Sequence, residues 1–94
     1  MIIIAGYSHT KNARQRDAVV AALANMVERA RKQDGCIDMS IGADSVDPER
    51  INVFECWRDQ QSWKTWRKIA KPPKVALKQV RVKLYRTEKA EKPF

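Results

Sequence analysis

Residues 36–57, CIDMSIGADSVDPERINVFECW, hold two alternating runs around a turn. In the first, Cys36 to Ala43, one face carries Ile37, Met39, Ile41 and Ala43, and the other carries Cys36, Asp38, Ser40 and Gly42. In the second, Ile51 to Trp57, one face carries Ile51, Val53, Glu55 and Trp57, against Asn52, Phe54 and Cys56. A period of two is the mark of a strand whose two faces meet different surroundings. Asp44 to Arg50, with Asp47-Pro48 at its centre, is rich in turn-forming residues. Two strands joined by so short a loop predict an antiparallel hairpin. Cys36 and Cys56 fall on one face of it, where a cross-strand disulfide is conceivable, though cytosolic thiols stay reduced.

Outward on the N-terminal side, Ile2 to His9 reads as a strand, and Thr10 is a candidate N-cap. Lys11 to Lys32 places Val19, Val20, Leu23, Met26, Val27 and Ala30 along one helical stripe, and Asp34-Gly35 ends that helix. On the C-terminal side, Asp59 caps a second helix over Gln60 to Ala70, with Trp63, Trp66 and Ile69 or Ala70 at helical spacing. Pro72-Pro73 breaks it, and Val75 to Leu77 is expected to form one more turn. Gln79 to Thr87 alternates again, with Val80, Val82 and Leu84 against Arg81, Lys83 and Tyr85. The order βαββαβ is the split-βαβ, ferredoxin-like arrangement. The predicted fold class is α+β, a four-stranded antiparallel sheet with two helices on one face.

The first strand is apolar on both sides, with Ile2 and Ile4 on one and Ile3 and Ala5 on the other. Strands wet on one side alternate more cleanly than this. One helix layer cannot bury both faces, so a homodimer through the open sheet face is expected.

With 94 residues the chain is expected to be a single domain, 1–94, with its core in about 2–87 and a flexible tail at 88–94. No apolar run approaches the about 18 residues of a membrane span. Ile2-Ile3-Ile4 is too short for a signal peptide, so a cytoplasmic protein with no membrane partner is expected. The formal charge of +8 is uneven: residues 1–57 hold 7 Lys/Arg and 8 Asp/Glu, whereas residues 58–94 hold 12 Lys/Arg and 3 Asp/Glu. A basic third of this kind suits either an anionic partner or a solvated face. No basic-aromatic recognition run accompanies it, so nucleic acid is disfavoured.

Several features resemble the antibiotic biosynthesis monooxygenase (ABM) domain family. They are Gly35-Cys36-Ile37 at the start of the second strand, the Asp47-Pro48 turn, Phe54-Glu55-x-Trp57, the acidic cap after Trp57 and the aromatic second helix. The resemblance spans roughly residues 2–86. It implies a dimeric α+β barrel, in which two ferredoxin-like sheets pack together. Some members are cofactor-independent monooxygenases of quinols or polyketide phenols, and another branch binds and degrades haem. At the positions of the quinol branch's two histidines this chain has Trp66 and Lys71. At the haem branch's Asn and iron-ligating His it has Tyr7 and Ala76, although Trp66 matches that branch's pocket tryptophan. At the polyketide branch's Asn, Trp and Tyr it has Val53, Trp57 and Trp63, so the Trp is matched. The resemblance therefore implies a monooxygenase, working without a cofactor on a small electron-rich aromatic, rather than a haem-degrading enzyme. The alternatives are a non-catalytic dimer that binds a small aromatic ligand, and an anion-binding module built on residues 58–94.

Such oxygenation needs a base to deprotonate the phenol and a donor to steady the oxyanion that follows. The odd-numbered residues of three strands are expected to share the helix-covered face: Ile3, Ala5, Tyr7 and His9; Ile37, Met39 and Ile41; Ile51, Val53, Glu55 and Trp57. Their polar members, His9, Glu55 and Tyr7, are the candidate catalytic residues. His9 suits a base by its intrinsic pKa, or is a surface histidine at a strand end. Glu55 acts as a base, or makes a buried structural hydrogen bond or a salt bridge to a basic residue such as Arg81 or Lys83. Tyr7 donates to an oxyanion, or is a half-buried aromatic. Trp57, Trp63 and Trp66, with Met39 and Val53, are the candidate substrate-binding residues; the tryptophans either fill core or wall a cavity for a flat ligand. There is no Cys/His cluster for zinc, no Ser-His-Asp set and no Gly-rich phosphate loop.

Overall fold

The computed structural model describes residues 1–94. Six elements follow in the expected order: β1 (Ile2–His9), α1 (Ala13–Arg31), β2 (Cys36–Ala43), β3 (Arg50–Trp57), α2 (Gln60–Ile69) and β4 (Lys78–Arg86). The strands form one sheet in the order β2-β3-β1-β4, antiparallel throughout. This is the ferredoxin-like α+β arrangement, with both helices on one face.

The hairpin is held by its own loop. The Asp44 carboxylate accepts the backbone N–H groups of Val46 (3.1 Å) and Asp47 (2.8 Å) and the side-chain amide of Asn52 (2.8 Å). These donors hold its carboxyl down at about 2. Arg16 of α1 donates to the carbonyls of Asp44 (3.3 Å) and Asp47 (3.1 Å), which ties the helix to the loop.

α1 is capped by Asn12 rather than Thr10: Asn12 Oδ1 accepts from the Gln15 N–H at 2.8 Å. The Thr10 N–H is already bonded to the Glu49 carbonyl (2.9 Å), and its buried hydroxyl donates to the Asn12 carbonyl (2.8 Å), so the chain enters the helix two residues later. The buried stripe is Val19, Leu23, Val27 and Ala30. Lys32 forms the C-cap, and Gly35 serves a different purpose from the one expected. Its φ is +86°, and a Cβ there would lie 2.1 Å from Ser62 Oγ, so glycine lets β2 begin against the first turn of α2. Asp59 caps α2 as expected, accepting from the Ser62 N–H at 2.8 Å. The turn expected over Val75–Leu77 is absent; residues 71–77 run without helix or strand after the Pro72-Pro73 break.

The register across β1 decides which side chains face the helices. Ile2 pairs with Trp57, Ile4 with Glu55 and Ser8 with Ile51. Residues paired across antiparallel strands share a face, so the even-numbered residues of β1 meet the helices. Ile2, Ile4 and Ser8 are accordingly buried, and Ile3, Ala5, Tyr7 and His9 line the other face. The expectation for β1 was one residue out of phase, because a strand apolar on both sides carries no alternation to read.

β2 departs in a second way. A bulge between Cys36 and Asp38 places Cys36 opposite Trp57 and Asp38 opposite Cys56. Ile37 is thereby turned outward and is 55% exposed. The two cysteines are not paired across the strands, and both thiols are free. The main core joins Ile2, Ile4, Val27, Ala30, Met39, Trp57, Trp66 and Ala70. No helix is long and apolar enough to cross a membrane.

Candidate functional site

A cleft of ≈ 470 Å³ opens between α2 and the sheet. One face of α2 forms its wall: Trp63, Trp66, Arg67 and Ala70 stand at i, i+3, i+4 and i+7, the spacing that stacks side chains along one helical stripe. The floor is Ile4, Met39 and Glu55, neighbours across three strands. Met26 of α1 and Val82, Lys83 and Leu84 of β4 close the ends. A cavity of this size, mostly apolar with a few charged groups, suits a small organic ligand. A groove of similar volume, ≈ 480 Å³, lies between α1 and β2 around Val20, Ala24, Val27 and Ile41. It has no aromatic lining, and its one acid, Glu28, is well exposed.

Glu55 is the carboxylate of the cleft floor. Burial pushes its carboxyl above the usual range, while a hydrogen bond from Trp57 and the charge of Arg67 act the other way. Trp57 Nε1 donates to Glu55 Oε1 at 3.0 Å. Of the two structural alternatives, the hydrogen bond is the one made; the salt bridge is not, since Arg81 and Lys83 pair with Tyr7 and Ala5 on the opposite face and no cation lies within 4 Å of the carboxylate.

The three tryptophans divide their work. Trp57 is fully buried and lies under Trp66, the rings stacked 6.2 Å apart at 23°. It does not line the cleft; it orients Glu55. Trp66 is both core and wall, and Trp63, half-buried, is wall. Met39 reaches the floor, whereas Val53 packs near the Val19, Leu23 and Ile51 cluster, away from it.

His9 and Tyr7 stand apart from Glu55, on the open face of the sheet. His9 Nε2 lies 3.0 Å from Asp47 Oδ2, and its buried Nδ1 has no partner. The Tyr7 ring meets His9 edge-on at 5.7 Å and lies beneath the Arg50 guanidinium, 3.8 Å from the ring centroid. The structure thus brings Glu55, Trp63, Trp66 and Met39 together and leaves His9, Tyr7 and Val53 out. The sequence reading missed Arg67, Met26, Val82 and Leu84. Arg67 was within reach of it, since it stands four residues from Trp63. Nowhere do three or more His, Cys, Asp or Glu residues gather closely enough to hold a metal ion.

The antibiotic biosynthesis monooxygenase family model matches residues 1–70. No curated protein matches the sequence significantly. Among solved structures, a Deinococcus radiodurans protein provisionally named an antibiotic biosynthesis monooxygenase superposes with a TM-score of 0.78 at 16% identity, over 100% of this chain and 99% of that one. A Nitrosomonas europaea protein with the same provisional name gives 0.66 at 18% identity, over 93% and 98%. A conserved Methanosarcina mazei protein gives 0.68 at 16% identity, over 93% and 92%. At such identities the likeness is one of fold.

Proposed function

Since the chain belongs to the antibiotic biosynthesis monooxygenase family, we propose that it oxygenates a small electron-rich aromatic, a quinol or polyketide-type phenol, in the cleft beneath α2. The observation that carries this reading is a carboxylate set in an apolar cleft beside two tryptophan walls, its carboxyl raised above the usual range by burial. A flat ring stacked on Trp63 would bring its hydroxyl over Glu55.

In this reading Glu55 takes the phenol proton, and the resulting phenolate is electron-rich enough to give up electrons to O₂ without a flavin or metal. A C–O bond forms at a hydrogen-bearing ring carbon ortho or para to the phenolate oxygen (ortho in a quinol), and Glu55 returns its proton to the new peroxide. Loss of that carbon's hydrogen as a proton and cleavage of the O–O bond release hydroxide, which combines with the proton to give water. One phenol and one O₂ thereby become one quinone and one water. The Trp57 hydrogen bond keeps the carboxylate aimed during both transfers. His9 and Tyr7, on the far face, have no part in this scheme. The active form is taken to be a homodimer joined through that face.

Oxygen uptake with a panel of naphthols and hydroquinones tests the proposal. Uptake above the protein-free rate is expected, with quinone as product. Glu55→Gln keeps an acceptor for Trp57 and should lower kcat by about 10²–10⁴-fold. Uptake that survives Glu55→Gln unchanged would remove Glu55 from its role. Binding of the panel without uptake would favour the alternative, a non-catalytic ligand-binding dimer.

A further inference from the structure

The chain has nine arginines, and six of them have a hydrogen-bonding or ionic partner. Arg16 holds Asp17 and two loop carbonyls; Arg29 holds Asn25 and the Ala70 carbonyl; Arg31 holds the Met39 carbonyl and Asp38. Arg50 holds Asn52 and Asp44, Arg58 holds Asp34 and Asp59, and Arg86 holds Gln60. Arg14, Arg67 and Arg81 make no such bond, and of these Arg67 alone lines the cleft. Its guanidinium is steadied from one side, 5.3 Å from the Trp63 ring centroid, and its donor edge is unclaimed.

The charge around it is one-sided. The cleft is faced by one acid, Glu55, and one base, Arg67, since Lys83 pairs with Ala5 and turns its side chain to the other face of the sheet. Lys64, Lys68, Lys71 and Lys74 follow Arg67 on and beyond α2, and between Asp59 and Glu88 the chain has no acid at all. The basic excess of residues 58–94 is thus gathered on the elements that build the cleft. A planar guanidinium with free N–H groups matches a carboxylate in two-point geometry, which a lysine does not.

We propose that the substrate is an anion, a planar phenol carrying a carboxylate, and that Arg67 is the specificity-determining residue that receives it. The inference rests on the cleft being the substrate site, as proposed above. The ring lies against Trp63, its hydroxyl meets Glu55 on the floor, and its carboxylate meets Arg67 on the wall. The surrounding lysines draw the anion in from solution.

Calorimetric titration of the full chain with 6-hydroxy-2-naphthoate and with its methyl ester tests this. The pair differs in one charge and shares ring and hydroxyl. The acid is expected to bind about tenfold more tightly than the ester. Added salt should narrow that ratio. Arg67 is exposed, so its variants should fold. Arg67→Gln should bring the ratio to about one, and Arg67→Lys should restore part of it. Equal affinities in the wild type would overturn the inference while leaving the cleft reading intact. A ratio that survives Arg67→Gln would assign the preference to the general basic field and overturn the role of Arg67. If neither compound binds, the cleft reading and the inference fall together.

Discussion

Glu55 shows how burial makes a single side chain's contribution to stability depend on pH. Its carboxyl lies above the ordinary 4.5 because burial disfavours the charged form. Below pH 4.5 the group is protonated in both folded and unfolded chains, and its neutral form suits the cleft. As the pH rises past 4.5 and then through the raised folded value, the folded protein holds more protons than the unfolded one, so stability falls. The expected consequence is that Glu55→Gln melts at a higher temperature than the wild type at pH 7. The two melting temperatures should converge below pH 4.5. Thermal melts from pH 4 to pH 8 check this, and a variant that melts lower at neutral pH would mean that the charge is favourable where it stands. Asp59 behaves in the opposite sense. Hydrogen bonds from Ser62 and then Arg58 lower it to about 2, so its contribution is present above pH 3.8 and is lost as the pH falls through about 2.

Among the elements, β1 and β3 are the two central strands, and β1 pairs with both β3 and β4. At its middle sits Gly6, with φ +152°; a Cβ there would lie 1.9 Å from the Arg81 carbonyl oxygen of β4. Only glycine lets the two backbones approach so closely. Just beyond, between Tyr7 and His9, the β1–β4 register shifts. Gly6→Ala must move β4 away or strain β1, and should cost at least about 3 kcal/mol. Denaturant unfolding measures it, and an unchanged midpoint would show that the close approach carries no stability. The consequence for the cleft is direct, because Val82 and Leu84 of β4 close one end of it. Loosening the strand should weaken ligand binding as well.

At the scale of the whole molecule, the second face of the sheet has no helix over it. That face presents Ile3, Ala5 and Tyr7 from β1, Phe54 from β3 (38% exposed) and Tyr85 from β4 (51% exposed). Contiguous apolar surface of this kind marks a contact site. With a second copy as the occupant, light scattering on a sizing column should return a mass twice 10.9 kDa. Phe54→Lys should shift the mass toward the single chain while leaving the helix-covered face, and therefore ligand binding by the cleft, in place. A wild-type mass of 10.9 kDa at micromolar concentration would remove the dimer from the proposed function.

The order of elements and most of their ends were legible in the chain, because caps, breaks and alternation are local. Asp59 marks the start of α2, Pro72-Pro73 follows its end, and the two runs around Asp47-Pro48 form the hairpin. The spacing of Trp63 and Trp66 likewise placed them on one helix face, and the period-two pattern placed Glu55 beside Trp57. Where His9 and Tyr7 point was not legible, since β1 is apolar on both sides and its phase is set by pairing with β3, some fifty residues away in the chain. Nor was the bulge that separates Cys36 from Cys56, for one extra residue in a ladder leaves no mark on composition. Periodicity records which residues share a face; which face meets the helices is settled by contacts between distant segments, and so which of the candidates His9, Glu55 and Tyr7 lines the cleft was decided only in the folded molecule.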